Sequence, residues 1–237
     1  MAATDGQRST LFLSRVHLEP RSPAVRRDLA DCHSLHRRVM SAFAATDAAE
    51  RAREAFAVLH RVDVHPRTGE LQLLVQSNVP PRWEGLPPRY VAEAPDGLSV
   101  VCKPVHEVYA AICASGRFVF RLRANPTRKV HPSPKSDGAR DNGRRVDLRS
   151  DEERLVWLDR KGQDHGFVVL SACTIADRTY GWSDRDAGGR RLTFGAVVFD
   201  GLLEVRDPDR LRSALRDGIG SAKAFGFGLL SLARVPA

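Results

Sequence analysis

The chain has 237 residues, 42% of them apolar, enough to bury one large core or two small ones. Its formal net charge of +8 calls for an anionic partner, nucleic acid first and an acidic membrane surface second, with a merely basic protein as the plain alternative. No long uncharged apolar run or marked basic amphipathic helix supports a membrane partner, and Cys32, Cys102, Cys113 and Cys173 lack the C-x-x-C spacing of a structural zinc site, so they read as small buried apolar residues in a reducing cytoplasm.

Residues 1–10 are small and polar, lack the apolar segment of a secretion signal, and read as a flexible tail. Residues 11–18 form a strand with Leu11, Leu13, Val16 and Leu18 inward, ended by Pro20 and Pro23. Residues 26–45 read as helix, interrupted near Asp31, whose carboxylate can cap a new turn. Leu29, Cys32, Leu35, Val39, Met40 and Phe43 supply the apolar stripe. Residues 48–56 add a turn or two, and 58–64 and 71–79 form a hairpin across 65–69. A loop over 80–88, anchored by Trp83, leads to a fourth strand at 98–103, and 105–114 fits no single pattern.

The pattern then restarts. Residues 117–124 alternate apolar and basic side chains, a strand with one solvated, positive face. Residues 125–147 are polar, basic and broken by proline and glycine. A helix over 151–160 opens at Ser150 or Asp151 with Glu153 and carries Leu155, Val156 and Leu158. Strands at 167–175 and 192–205 flank a charged hairpin tip at 177–191. Asp207 and Pro208 start a last helix with Leu211 and Leu215 inward, and a glycine-rich loop over 218–228 precedes strand 229–235. The order strand, helix, strand, strand, helix, strand thus occurs twice, although the second helix of the first copy is poorly marked. This is the split βαβ unit, so the expectation is an α+β protein of two tandem ferredoxin-like domains with antiparallel sheets, 11–115 and 116–237.

That scaffold is also the one of the common RNA-recognition module, but Phe118 and Phe120 lack its accompanying glycine and basic signature and read as core. The better lead is the density of cations at Arg121, Arg123, Arg128, Lys129, Lys135, Arg140, Arg144 and Arg145, with Arg190 and Arg191 at the hairpin end. Such a stretch tracks a phosphate backbone, or is simply a solvated loop, and 125–147 can be both if it orders on RNA. Gly218, Gly220, Gly226 and Gly228, with Ser221 and Lys223, make a loop whose amides can cradle phosphate or that is only a tight turn. It lacks the mononucleotide-loop spacing, so any phosphate bound there belongs to a polymer.

His33 and His36 share a helix face. Two histidines are too few for a metal site, which leaves a partly buried core residue or a catalytic one. Histidine and cations can run one reaction alone: attack of an RNA 2′-hydroxyl on its own phosphodiester, with Arg37 and Lys223 supplying charge if the fold brings helix and loop together.

Several separated motifs occur in a fixed order: Leu13-Ser-Arg-Val-His-Leu18, Arg27-Asp-Leu-Ala followed by Leu35-His36-Arg37, Phe120-Arg-Leu-Arg-Ala-Asn-Pro126, Gly143-Arg-Arg-Val146, Phe199-Asp-Gly with Leu203-Glu-Val205 and Asp207-Pro208, and Gly218 through Leu230. Together they resemble the CasE family, the type I-E CRISPR-associated endoribonucleases that process precursor CRISPR RNA. The resemblance implies cleavage at the 3′ base of the repeat hairpin, no metal or other cofactor, retention of the product, and membership of the Cascade complex. It places the catalytic histidine on His36; a tyrosine that assists in some relatives is replaced here by His33. It matches the glycine loop to 218–228 and the basic hairpin grip to 123–145 and 177–191. The competing expectation is a binding module on the same fold, an RNA-hairpin subunit without nuclease activity.

Overall fold

Alternating side chains along the first segment produce strand β1 (Phe12–Leu18), where Ser14, Val16 and Leu18 face inward and Leu13, expected there, lies on the other face. The computed structural model describes residues 10–44, 52–130, 144–177, 180–184 and 190–236. Pro23 opens α1 (Pro23–Ala30), a position where a missing N–H costs nothing. The chain extends at Asp31 and restarts as α2 (Cys32–Met40), capped by the Asp31 carboxylate as the sequence suggests. A single turn, α3 (Ala52–Ala55), leads to β2 (Leu59–Val64) and its hairpin partner β3 (Leu71–Ser77). With β4 (Val100–Pro104) these strands form one antiparallel sheet in the order β2-β3-β1-β4.

The poorly marked second helix of the first copy is absent. Its place holds a 3-10 turn at Trp83–Gly85 inside an extended stretch. Pro80, Pro81, Pro87, Pro88 and Pro95 remove donors and force extended neighbours, so no long helix can run there. Trp83 is buried as expected, and a short α4 (His106–Ala110) follows β4. The core beneath gathers Val16, Leu18, Val25, Leu35, Val39, Val58, Leu73 and Val75. Tyr90, fully buried, donates to Asp28 Oδ2 at 3.0 Å, and Arg38 Nε donates to the same oxygen at 2.8 Å. The buried carboxylate therefore has a charged and a neutral partner.

The second sheet has the order β12-β5-β11-β8, again antiparallel, from β5 (Arg117–Ala124), β8 (Phe167–Ala176), β11 (Val197–Val205) and β12 (Leu230–Arg234). Both sheets have the ferredoxin-like order. Helices α5 (Asp151–Asp164) and α6 (Pro208–Asp217) cover the second. Ser150 and Glu153 close a reciprocal capping box on α5. Two ribbons are inserted: β6 (Thr127–Val130) with β7 (Arg144–Asp147), and β9 (Tyr180–Asp184) with β10 (Arg190–Phe194).

Three expectations change here. Residues 192–205 are two strands in different sheets, broken at Gly195 and Ala196, where the Gly195 N–H donates to Asp147 Oδ2 at 3.1 Å. On α5, Trp157 turns inward and stacks on Phe199 (6.0 Å between centroids, 14° between planes), while Val156 is 64% exposed. Only Cys32 is buried; Cys102, Cys113 and Cys173 are exposed. Phe120 and Phe118 belong to the second core, as read from the sequence. Among the described residues no helix is long and apolar enough to cross a membrane.

The two halves meet along β2. Arg61, 2% exposed, makes a two-pronged pair with Asp63 (Nε–Oδ1 2.8 Å, Nη2–Oδ2 2.9 Å). It also donates to the carbonyls of Arg121 and Leu229 at 3.2 and 3.0 Å and to Ser231 Oγ at 3.1 Å. Gln76 Nε2 donates to the Leu215 carbonyl at 2.7 Å. Gly218 lies so close to β2 that a Cβ there would come within 2.8 Å of Leu59. The glycine loop is thereby set against the first half.

Candidate functional site

The Asp31 carboxylate accepts from the backbone of His33 and Ser34, both at 3.1 Å, and from Ser34 Oγ at 2.7 Å. This fixes the first turn of α2, so that Cys32, Leu35 and Val39 go to the core while His33, His36 and Arg37 stand on the other side. His36 is half-buried, and its ring lies between two others. His60, from β2, stacks on it at 6.3 Å and 25°; Phe225, from the glycine loop, meets it edge-on at 6.4 Å and 74°.

The loop reaches His36 through a 3-10 turn at Lys223–Phe225, bracketed by left-handed Ala222 (φ 59°) and Gly226 (φ 82°). The backbone closes on itself: the Ile219 N–H donates to the Gly228 carbonyl at 3.0 Å, and the Gly228 N–H to the Arg123 carbonyl at 2.8 Å. Phe225 is backed by Phe194 at 5.2 Å. The sequence reading makes its chemistry conditional on helix and loop coming together; in the fold the loop does lie against α2. The loop residue against the imidazole is Phe225, however, while Lys223 turns into cavities beyond the loop.

Arg123 explains the loop's shape. It is 5% exposed, donates Nη1 to the Gly226 carbonyl at 3.0 Å and Nε to Asp177 at 2.6 Å, and lies 4.4 Å from the centre of the Phe227 ring. Arg121 makes a two-pronged pair with Asp200 at 2.7 and 2.6 Å. The expected solvated basic face of 117–124 is therefore corrected: Arg123 is enclosed and Arg121 half-enclosed, each beside a carboxylate from a neighbouring segment.

Burial pushes the His36 pKa down to about 4, with His33 and Arg53 adding to the effect. Burial again, then His36, Arg123 and Arg53, pushes His60 down to about 3. Both rings are neutral at neutral pH. Lys223 is also lowered, by burial first and Arg53 next.

Behind the loop lies a cavity of about 390 Å³. Its wall includes Arg145, Arg160, Lys161, His165, Ser221 and Lys223, with Gly218 and Gly220, and among the described residues no carboxylate. Such a pocket concentrates anions. Arg128, Lys129 and Arg145 lie exposed on the β6–β7 ribbon; Arg128 approaches Glu153 at 3.5 Å. Asn125 pins the ribbon's base: its amide nitrogen, oriented to face acceptors, donates to Asp147 Oδ1 and the Gly195 carbonyl, each at 3.0 Å. A smaller cavity of about 210 Å³ between α1 and α2 has Arg27, Arg37 and Arg38 on its wall. Lys135 and Arg140 fall outside the described residues, as do the side chains of Arg144, Arg190 and Arg191.

Sequence reading missed His60, Arg53, and the group Arg160, Lys161 and His165. The last had a signal, two adjacent cations near the end of a capped helix. His60 had a fainter one, a histidine among the apolar residues Val58, Leu59 and Val62.

Two antiparallel ferredoxin-like halves with cation-lined cavities define a class: a protein of this fold built to receive a polyanion such as nucleic acid. The profile of the family described as CRISPR associated protein matches residues 11–234. The CRISPR-associated endoribonuclease Cse3 of Thermus thermophilus is 33% identical over 232 residues, covering 94% of this chain and all of the relative. A structure of CRISPR endoribonuclease Cse3 bound to 19 nt RNA is similar at a TM-score of 0.75 and 31% identity, covering 94% of this chain and 99% of that one. The CRISPR-associated protein Cas6e of Escherichia coli gives 0.65 at 25% identity, covering 94% of this chain and all of that one. The chain belongs to this CRISPR-associated family, in its CasE (Cse3) group.

Proposed function

We propose that the protein is an endoribonuclease that cuts precursor CRISPR RNA at the 3′ base of the repeat hairpin. It uses the RNA's own 2′-hydroxyl and no metal, and keeps its product as a subunit of Cascade. Family membership supports RNA as substrate: the Thermus relative is named an endoribonuclease, and one of its structures holds an RNA representing a pre-cleavage complex. The Escherichia coli relative is named a Cascade subunit. The observation that carries the chemistry is His36, a neutral imidazole at the seam, held between β2 and the glycine loop.

The buried nitrogen of His36 is Nδ1, so Nε2 is the one left to meet RNA. In the proposed reaction Nε2 takes the 2′-hydroxyl proton, the 2′-oxygen attacks the adjacent phosphorus, and the P–O5′ bond breaks. The leaving 5′-oxygen receives a proton, for which His33, one turn earlier on the same helix, supplies a second imidazole. Arg37 meets the charge that grows on the phosphorane oxygens. Products are a 2′,3′-cyclic phosphate and a 5′-hydroxyl. The cavity of Arg145, Arg160, Lys161, Ser221 and Lys223 binds neighbouring backbone phosphates, and the β6–β7 ribbon grips the stem.

The test is a labelled repeat hairpin incubated with purified protein in EDTA. Cleavage to a 5′-hydroxyl product is expected, and a 2′-deoxy nucleotide at the cut should abolish cutting while binding persists. His36→Ala should bind and lose ~10²–10⁴-fold in rate. Cutting of the deoxy substrate, or complete inhibition by EDTA, defeats the mechanism. Tight binding without any cutting leaves the non-catalytic hairpin-binding subunit.

A further inference from the structure

His60 sits on β2 opposite Val75 and is 1% exposed. A phenylalanine would fill such a place without burying a polar atom. Instead two neighbouring imidazoles each hold a buried nitrogen with no hydrogen-bond partner among the described residues, Nδ1 of His36 and Nε2 of His60. Their rings are near-parallel with centroids 6.3 Å apart, and a buried water needs polar partners on either side, which these two nitrogens supply. A neutral imidazole has one N–H and one lone pair. The two orphaned atoms are complementary if one carries the hydrogen and the other does not.

We propose that His60 is a positioning residue for His36. Through one bridging water its Nε2 lone pair accepts from the Nδ1–H of His36, which fixes the tautomer in which Nε2 of His36 is the lone pair presented to RNA. This rests on the reading of His36 as the proton acceptor. A catalytic imidazole is ordinarily oriented by a carboxylate or carbonyl on its far nitrogen. A carboxylate there would also favour the protonated ring, leaving less base at neutral pH. A second imidazole orients without adding negative charge.

The surroundings keep His60 in that role. Arg123 faces it from β5, with Asp177 on that arginine's far side, Arg53 acts on it from α3, and His36, itself beside His33, faces it from α2. The glycine loop lies over its edge: a Cβ on Gly226 would fall 3.5 Å from His60 Nε2 and 3.4 Å from Arg123 Nη1. With cations on two sides and no solvent, His60 stays neutral and can act as an acceptor.

The test compares His60→Phe, which keeps an aromatic ring and removes the acceptor, with His60→Gln, which returns a polar group near the Nε2 position. Single-turnover cleavage, hairpin affinity and thermal melting are measured for each, and the His36 tautomer is read from its ¹⁵N shifts. His60→Phe should melt like wild type, bind the hairpin within about twofold, cut ~10–100-fold more slowly, and show His36 as a tautomer mixture; His60→Gln should recover most of the rate and the single tautomer. Wild-type cutting by His60→Phe with unchanged ¹⁵N shifts overturns the proposal. So does equal damage in both variants that follows their loss of melting temperature, since His60 is then only filler. If the wild-type protein binds RNA without cutting, the cleavage reading fails, and the ¹⁵N spectra still report whether His60 sets the tautomer.

Discussion

Two sets of cations serve this molecule in opposite ways. Along the seam, Arg61 and Arg123 are 2% and 5% exposed, with each guanidinium held by a carboxylate and by backbone carbonyls. On the β6–β7 ribbon, Lys129 and Arg145 stand exposed, Arg128 keeps only a long, solvated contact with Glu153 at 3.5 Å, and Arg145 reaches the cavity behind the glycine loop. The first set holds the two halves and the loop in place; the second is available to a polyanion. The difference teaches that positive charge alone does not mark a nucleic-acid surface. What matters is whether the fold has already given the charge a partner.

The largest expected effect comes from breaking the seam. Arg61→Ala removes a buried cation and leaves Asp63 and two interdomain carbonyls without it, a loss of about 3–5 kcal/mol. Urea unfolding measures it, and the loss should persist in high salt because the pair is shielded from solvent. A change below ~1 kcal/mol would mean that apolar packing, not Arg61, joins the halves.

The strand order of both halves, and the helices of the second, were legible because they rest on local signals. Strand alternation, the Asp31 and Asp207 caps and the stripe of α2 and α6 all lie within a few residues of each other. The seam was not legible for the opposite reason. Arg121 and Arg123 look like exposed cations on an alternating strand, and their partners Asp200 and Asp177 lie 79 and 54 residues away. In the same way His36 was found from its helix and motif, whereas His60, which touches it only through the tertiary fold, was not. The distinction between Lys223 and Phe225 was also out of reach, since the 3-10 turn decides which of two neighbours faces the helix.

A middle-sized effect separates seam histidines from seam arginines. The folded pKa values of His36 and His60, about 4 and about 3, lie below the ordinary 6.5. Between 6.5 and those values the unfolded chain binds protons that the folded chain does not. Their contribution to stability is intact above pH 6.5 and is lost as pH falls, about 3 kcal/mol by pH 4 for the buried His60 and less for the half-buried His36, whose charge water screens. Urea midpoints from pH 7 to pH 4 measure the slope, which should flatten in His36→Ala/His60→Phe. For cleavage, the acid limb of kcat/KM reports the free enzyme and should fall near pH 4 rather than 6.5. A limb at 6.5 would show His36 to be solvated.

The smallest effect on stability, and the sharpest test of the comparison, belongs to the ribbon. Arg145→Ala should leave the unfolding free energy within about 0.5 kcal/mol of wild type. It should weaken hairpin binding at every sequence alike, and reduce the slope of log K against log salt by about 0.7–0.9, the share of one phosphate contact. Arg121→Ala should do the reverse. Its charge is matched by Asp200, so its loss should lower stability by about 1–2 kcal/mol and leave the salt slope nearly unchanged, because few counterions are released from a phosphate by a cation that already has a carboxylate. The pair is informative because both are arginines on strands of the same half. Equal salt slopes for the two variants would show that RNA draws Arg121 away from Asp200, and the division between structural and RNA-facing cations would then hold only for the protein without RNA.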